Sequence, residues 1–154
     1  MLRALRHPRP PLQLHLDHRF SFTSTVLVGT QRNHIYKVWE NEHSWSHWTY
    51  KHEGPRSQYG NRPWIKDQRV SIQHMGEQCV RAGQSYQMAA YLYHMTEPGG
   101  DGMVATLMTK TWESDVGGAH STCLEGVQPD VDFDRFQLDE DEMWSFVRRV
   151  LESA

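Results

Sequence analysis

The sequence predicts an α+β domain, a curved antiparallel sheet with helices packed on it. Three observations carry that expectation. Period-two alternation of apolar and polar residues recurs along much of the chain, the strand-like segments are joined by short glycine-rich turns, and helical spacing of apolar residues occurs in two places. Short turns between consecutive strands favour antiparallel pairing, because parallel pairs need long crossovers. At 154 residues, with 38% apolar and 23% charged, the chain holds enough for one core. It divides into a leader over 1–18, read as disordered or as a targeting segment, and one domain over 19–154.

The opening MLRALRHPRPPLQ is basic, free of acids and broken by prolines. Beyond it, Phe20, Phe22, Ser24, Val26 and Val28 share one face of a strand that Gly29 ends. Over 33–48, Ile35, Val38, Trp39, Glu42 and Trp45 recur at three- and four-residue steps, which predicts a helix. KHEGPRSQYGNRP at 51–63 reads as a surface loop. Strands are expected at about 64–75, 78–82, 86–96, 103–113 and 120–127, with EPGGDG and SDVGG closing hairpins. Asp139 as N-cap and Glu142 as its capping-box partner start a last helix, whose stripe of Met143, Phe146, Val147, Val150 and Leu151 is expected to cover the sheet.

Composition removes several function classes. A net charge of −3 argues against a broad phosphate-binding surface, so no nucleic-acid partner is expected. No apolar run approaches the roughly 18 residues of a spanning helix, so no membrane partner is expected. Cys79 and Cys123 are the two cysteines, without Cys-x-x-Cys spacing, which favours a reducing, cytoplasmic home. No GxGxxG, P-loop or GxSxG segment occurs, so no cofactor is expected.

Histidine is the chemistry-bearing residue in excess, with ten in the chain. Its ordinary pKa lets it take or give a proton near neutrality. His43 and His47 stand four apart, a spacing that on a helix puts two imidazoles on one face, but the intervening residues supply no glutamate in the HExxH manner, a third ligand would have to be Glu42, His52 or something remote, and no metal is expected. His74, in VSIQHMG, shares a strand face with Val70 and Ile72 and is expected to point inward. His94 shares a face with Met88, Ala90 and Leu92, and Tyr91 and Tyr93 face the other way, so only one of the two sets lines a given pocket. If His74 and His94 enter one cavity, they supply the acid and base for removing a proton beside a carbonyl and expelling hydroxide.

Three segments resemble the fungal scytalone dehydratases, cofactor-free lyases of the NTF2-like, SnoaL-like cone fold that act in melanin biosynthesis. TVLVGTQRNHIYKVWE is similar to the family's strand running into a helix, through Lys37, Val38, Trp39 and Glu40. SIQHMG resembles its Thr-Gln-His stretch and implies a catalytic role for His74. EGVQPDVDFDRFQLDED resembles the segment that closes its cavity, which implies that Val127, Pro129, Val131 and Leu138 line the substrate. The family's first helix has no counterpart here, Gln31 stands where it has a tyrosine, and its second catalytic histidine falls near Pro98, with His94 the nearest substitute. VLVGTQRNHIYKVWENEHSWSHW also resembles the opening of START-like polyketide cyclases. WIKDQRVSI with MTEPGGDG resembles the phenolic acid decarboxylases, which are lipocalin-like barrels, although their tyrosine and arginine positions do not line up.

The resemblance implies an NTF2-like cone and a dehydratase or cyclase of secondary metabolism acting on a small aromatic or polyketide-derived hydroxy-ketone. His74 and His94 are the expected catalytic pair, and the chain is expected to work alone or as a homo-oligomer. The alternatives are a non-catalytic ligand-binding or oligomerising relative and a START-like cyclase.

Overall fold

A computed structural model describes residues 13–55, 62–100, 102–127 and 140–153. Nine strands precede one helix: β1 (Gln13–Leu16), β2 (Phe20–Val28), β3 (Thr30–Glu40), β4 (His47–His52), β5 (Trp64–Arg81), β6 (Ser85–Met88), β7 (Tyr93–Pro98), β8 (Ala105–Glu113), β9 (Ala119–Leu124) and α1 (Glu140–Ser153). The α+β class holds, and every pairing is antiparallel. Six strands close into a barrel in the order β1-β7-β3-β5-β4-β9, and β6-β2-β8 form a separate three-stranded sheet.

Of the helix expected over 33–48, residues 33–40 belong to β3 and 47–48 to β4, with a turn over 41–46 between them. Thr30, His34, Ile35, Tyr36, Val38 and Trp39 are β-branched or aromatic, and such side chains fit a pleated surface better than a helix. β3 pairs with β5 on one side and β7 on the other, which overrides the three- and four-residue spacing. The expected loop at 51–63 starts later, because β4 runs to His52. The expected leader is shortened too, since β1 lies within it and pairs with β9 and β7 to close the barrel.

β2 passes into β3 through Gly29, whose backbone has φ +80°. A Cβ there would stand 2.2 Å from the Met103 carbonyl oxygen, so only glycine fits this passage from one sheet to the other. The core lies between the three-stranded sheet and the outer face of the barrel. Phe22, Val26, Val80, Tyr86 and Met88 are buried there, with Phe20, Ile35 and Leu92 packed against them. Gln31 and Asn33 point the same way and stay satisfied in part through polar contacts. Gln31 Nε2 donates to Tyr86 Oη and to Asn33 Oδ1, and Asn33 Oδ1 also accepts from Thr96 Oγ1.

The last helix forms over Glu140–Ser153, with Glu140, Asp141 and Glu142 at its positive end, while its expected N-cap, Asp139, lies outside the described residues. Its stripe does not become core: Met143, Phe146, Val147 and Leu151 are exposed and Val150 is half-buried. No helix among the described residues is long and apolar enough to cross a membrane.

Candidate functional site

Directly paired residues on antiparallel strands point to the same face, so the pairings sort the barrel's side chains into two sets. Leu16, His94, Ile35 and Gly76 form one row, and Tyr93, Tyr36 and His74 form the next, on the opposite face. The first set packs toward the core described above. The second faces the lumen. Asp17, next to Leu16, shares that inner face with Tyr93, and Lys51 and His120 share it as a direct pair.

Electrostatics agrees with this geometry. Burial holds Tyr93 well above the ordinary phenol range, and the carboxylates of Asp17 and Asp67 push it further the same way. Asp67 stands on β5, which is not a neighbour of β7 in the barrel. Their charges therefore meet across the lumen. A phenol held protonated is a durable hydrogen-bond donor.

Asp17 and His120 form the most constrained pair. Asp17 is 2% exposed. Its Oδ1 accepts the His120 backbone N–H at 2.5 Å, its Oδ2 lies 3.0 Å from His120 Nδ1, and its own N–H donates to the His120 carbonyl at 3.0 Å. A carboxylate only accepts, so Nδ1 carries the proton and Nε2 of the neutral ring is the acceptor. The hydrogen bond to Asp17 raises the His120 pKa above its usual value. Burial opposes that rise, the charges of Asp17 and Asp67 add to it, and Lys51 lowers it. Lys51 Nζ in turn lies 3.0 Å from Asp67 Oδ1.

The site thus contains a carboxylate-backed imidazole, two phenols and an ammonium–carboxylate pair, contributed by β3, β4, β5, β7, β9 and the residue after β1. It can accept a proton, donate one and polarise a carbonyl oxygen.

The two expected catalytic histidines are not brought together. His74 does share its face with Val70 and Ile72, since all three pair along β3 at Tyr36, Glu40 and Val38. It is exposed rather than buried, because the pairing of β5 with β4 ends at Val70 and His74 lies beyond it, toward one end of the barrel. A bulge at Met75 separates it from Gly76, which pairs on the other face. Its ring lies 5.5 Å from that of His34 and 5.2 Å from that of Tyr36.

His94 points outward into the core. It is 7% exposed, its Nδ1 donates to the Leu92 carbonyl, and its ring packs near His18 and Phe22. Burial lowers its pKa, so it is a neutral core residue. Tyr93, on the opposite parity, takes the inner position. Tyr91 does not join it, since its hydroxyl donates to the Val116 carbonyl in a turn.

His43 and His47 are not on a helix: His47 begins β4 and His43 lies in the turn before it. Among the described residues no cluster of His, Cys, Asp or Glu has metal-binding geometry. Val127 follows the turn after β9, donating its N–H to the Leu124 carbonyl. Pro129, Val131 and Leu138 lie outside the described residues. A shallow cleft of about 210 Å³ lined by Gly29, Thr30, Gly99, Gly100, Gly102, Met103 and Val104 carries no titratable side chain among the described residues.

Asp17, Lys51, Asp67 and His120 carry no sequence signal of their own. Asp17 and His120 are 103 positions apart, and only barrel closure joins them. Tyr93 alone was within reach, through the alternation that set it against His94. Comparison with protein-family models, curated proteins and solved structures returns no match.

Proposed function

We propose that the barrel lumen is the working site of a cofactor-free dehydratase or cyclase acting on a small aromatic or polyketide-derived hydroxy-ketone. The observation that carries this reading is the Asp17–His120 pair in the lumen with the Tyr93 phenol. His120 Nε2 takes the proton beside the carbonyl, and Asp17 stabilises the imidazolium that forms. Tyr93 donates a hydrogen bond to the carbonyl oxygen as electron density builds there. The C–H electrons then form the new double bond, the hydroxyl leaves, and the imidazolium returns its proton to make water. Atoms and charges balance without a cofactor.

The dehydratase resemblance implies an NTF2-like cone, an open sheet whose concave face is covered by helices. In this proposal the chemistry is kept and its housing differs, the concave face being closed by β1. His74 keeps a place toward one end of the barrel, where an entering substrate passes it, and His94 has a packing role. Barrel closure with two inner tyrosines also supports a second reading, cofactor-free decarboxylation of a phenolic acid in the same lumen.

The test is a panel of hydroxylated naphthalenones and hydroxycinnamic acids followed by ultraviolet absorbance, with binding measured by intrinsic tryptophan fluorescence. His120→Gln is expected to lower turnover by roughly 10²- to 10⁴-fold with folding retained, and Tyr93→Phe by about 10²-fold. Binding without turnover favours the non-catalytic ligand-binding alternative. Neither binding nor turnover across the panel overturns both catalytic readings.

A further inference from the structure

Carboxylates on the six barrel strands are sorted by face, while cations stand on both, with Arg32, Lys51 and Arg81 on the inner side. Pairing parity sets Glu40, Glu77 and Glu97 on the inner side, and Asp67 joins them through its pair with Lys51. On the outer side of β3, β5 and β4 stand Lys37, Lys66 and Arg69, and among the described residues of those strands no carboxylate shares that side. None of the three cations has an ion-pair partner among the described residues.

Each cation instead lies on an indole. Lys66 Nζ is 3.7 Å from the Trp48 ring centre, and Arg69 Cζ is 4.7 Å from Trp45 and 5.2 Å from Trp48. Lys37 Nζ is 5.9 Å from Trp39. Such stacking fixes a cation in place while leaving its charge uncompensated and its remaining N–H donors available.

We propose that this outer face is a docking surface for an acidic peptide segment. Its carboxylates meet Lys37, Lys66 and Arg69, and its apolar side chains pack beside those cations against the ring edges of Trp39, Trp45 and Trp48. Charge complementarity and the lack of competing carboxylates carry the argument. Single-stranded nucleic acid fits less well, because it stacks bases on free aromatic faces and these indoles already hold cations. Three cations on a chain of net charge −3 also make a weak attraction for a polyphosphate or an anionic bilayer.

The experiment uses the full chain and a fluorescein-labelled peptide of repeating Asp-Phe-Glu triplets, read by fluorescence anisotropy. Saturable binding is expected, weakening as salt rises. The Lys66→Gln, Arg69→Gln double variant, with its near-ultraviolet circular dichroism checked, is expected to bind at least about tenfold more weakly. A peptide of Asn-Phe-Gln triplets is expected not to bind. The proposal is overturned by absence of saturable binding, by equal binding of the neutral peptide, or by tighter binding of single-stranded DNA or phosphatidylserine vesicles. If the double variant does not fold, the salt series and the neutral peptide on the parent chain decide the matter.

Discussion

Asp17 is nearly sealed from water and serves both the backbone and the ring of His120. An amide in its place keeps one oxygen for the His120 backbone N–H but sets an N–H donor against Nδ1–H and removes the charge that supports the imidazolium. Asp17→Asn is therefore expected to cost about 3 kcal/mol in urea unfolding. The histidines also make stability depend on pH with two opposite signs. The pKa of His120 is raised on folding, so its pair contributes fully below the ordinary value of 6.5 and is lost as pH rises through the folded value. Those of His94 and His47 are lowered by burial, so their contribution is present above 6.5 and is lost as pH falls toward their folded values. Melting temperature measured from about pH 5 to 9 is expected to fall on both sides of a maximum. His120→Gln flattens the alkaline limb and His94→Gln the acid limb. An unchanged alkaline limb in His120→Gln removes the Asp17 pair as its cause.

Elements were legible where local pattern and tertiary partner agree. β2 and α1 appeared at nearly their observed bounds, because alternation in one and a cap with an apolar stripe in the other need no distant residue. β3 carries a helical signal because Ile35, Val38 and Trp39 satisfy helical spacing that runs on to Trp45 beyond its end, while its strand character depends on β5 and β7 arriving on either side. The site suffered from the same dependence. Parity set Tyr93 against His94, yet which face became the lumen depends on β1 joining β9, a contact over 100 residues long in sequence that no local window contains. At the junction of the two sheets, Gly29→Ala has a sharp expected outcome. The residue has positive φ, and the new Cβ would meet a carbonyl oxygen at 2.2 Å, so the loop 102–104 or the β2–β3 turn must move. A loss of about 2 kcal/mol or more is expected in chemical unfolding, well beyond the effect of a Gly→Ala change at a relaxed site. A neutral result means the turn does not fix the angle between the sheets.

For the molecule as a whole, the short first strand decides what the barrel is. A closed barrel has no free edges, and here closure rests on four residues of β1 and on the carboxylate that follows them. A chain beginning at residue 19 tests this directly, because a disposable leader predicts no change. Loss of β1 instead exposes the edges of β7 and β9, strands His120 without Asp17, and removes the carboxylate that helps hold the Tyr93 phenol protonated. The broken pair alone is worth about 3 kcal/mol, which for a domain of this size converts to a fall of roughly 6–12 °C in melting temperature. Two unpaired edges further predict concentration-dependent association, read by light scattering, at protein concentrations where the parent stays monodisperse. Asp17→Asn in the full-length chain separates the two contributions: it lowers the melting temperature but leaves both edges covered, so it is expected to melt early without associating. If the truncated chain melts with the parent and stays monodisperse, β1 does not close the barrel and the lumen loses its standing as a site.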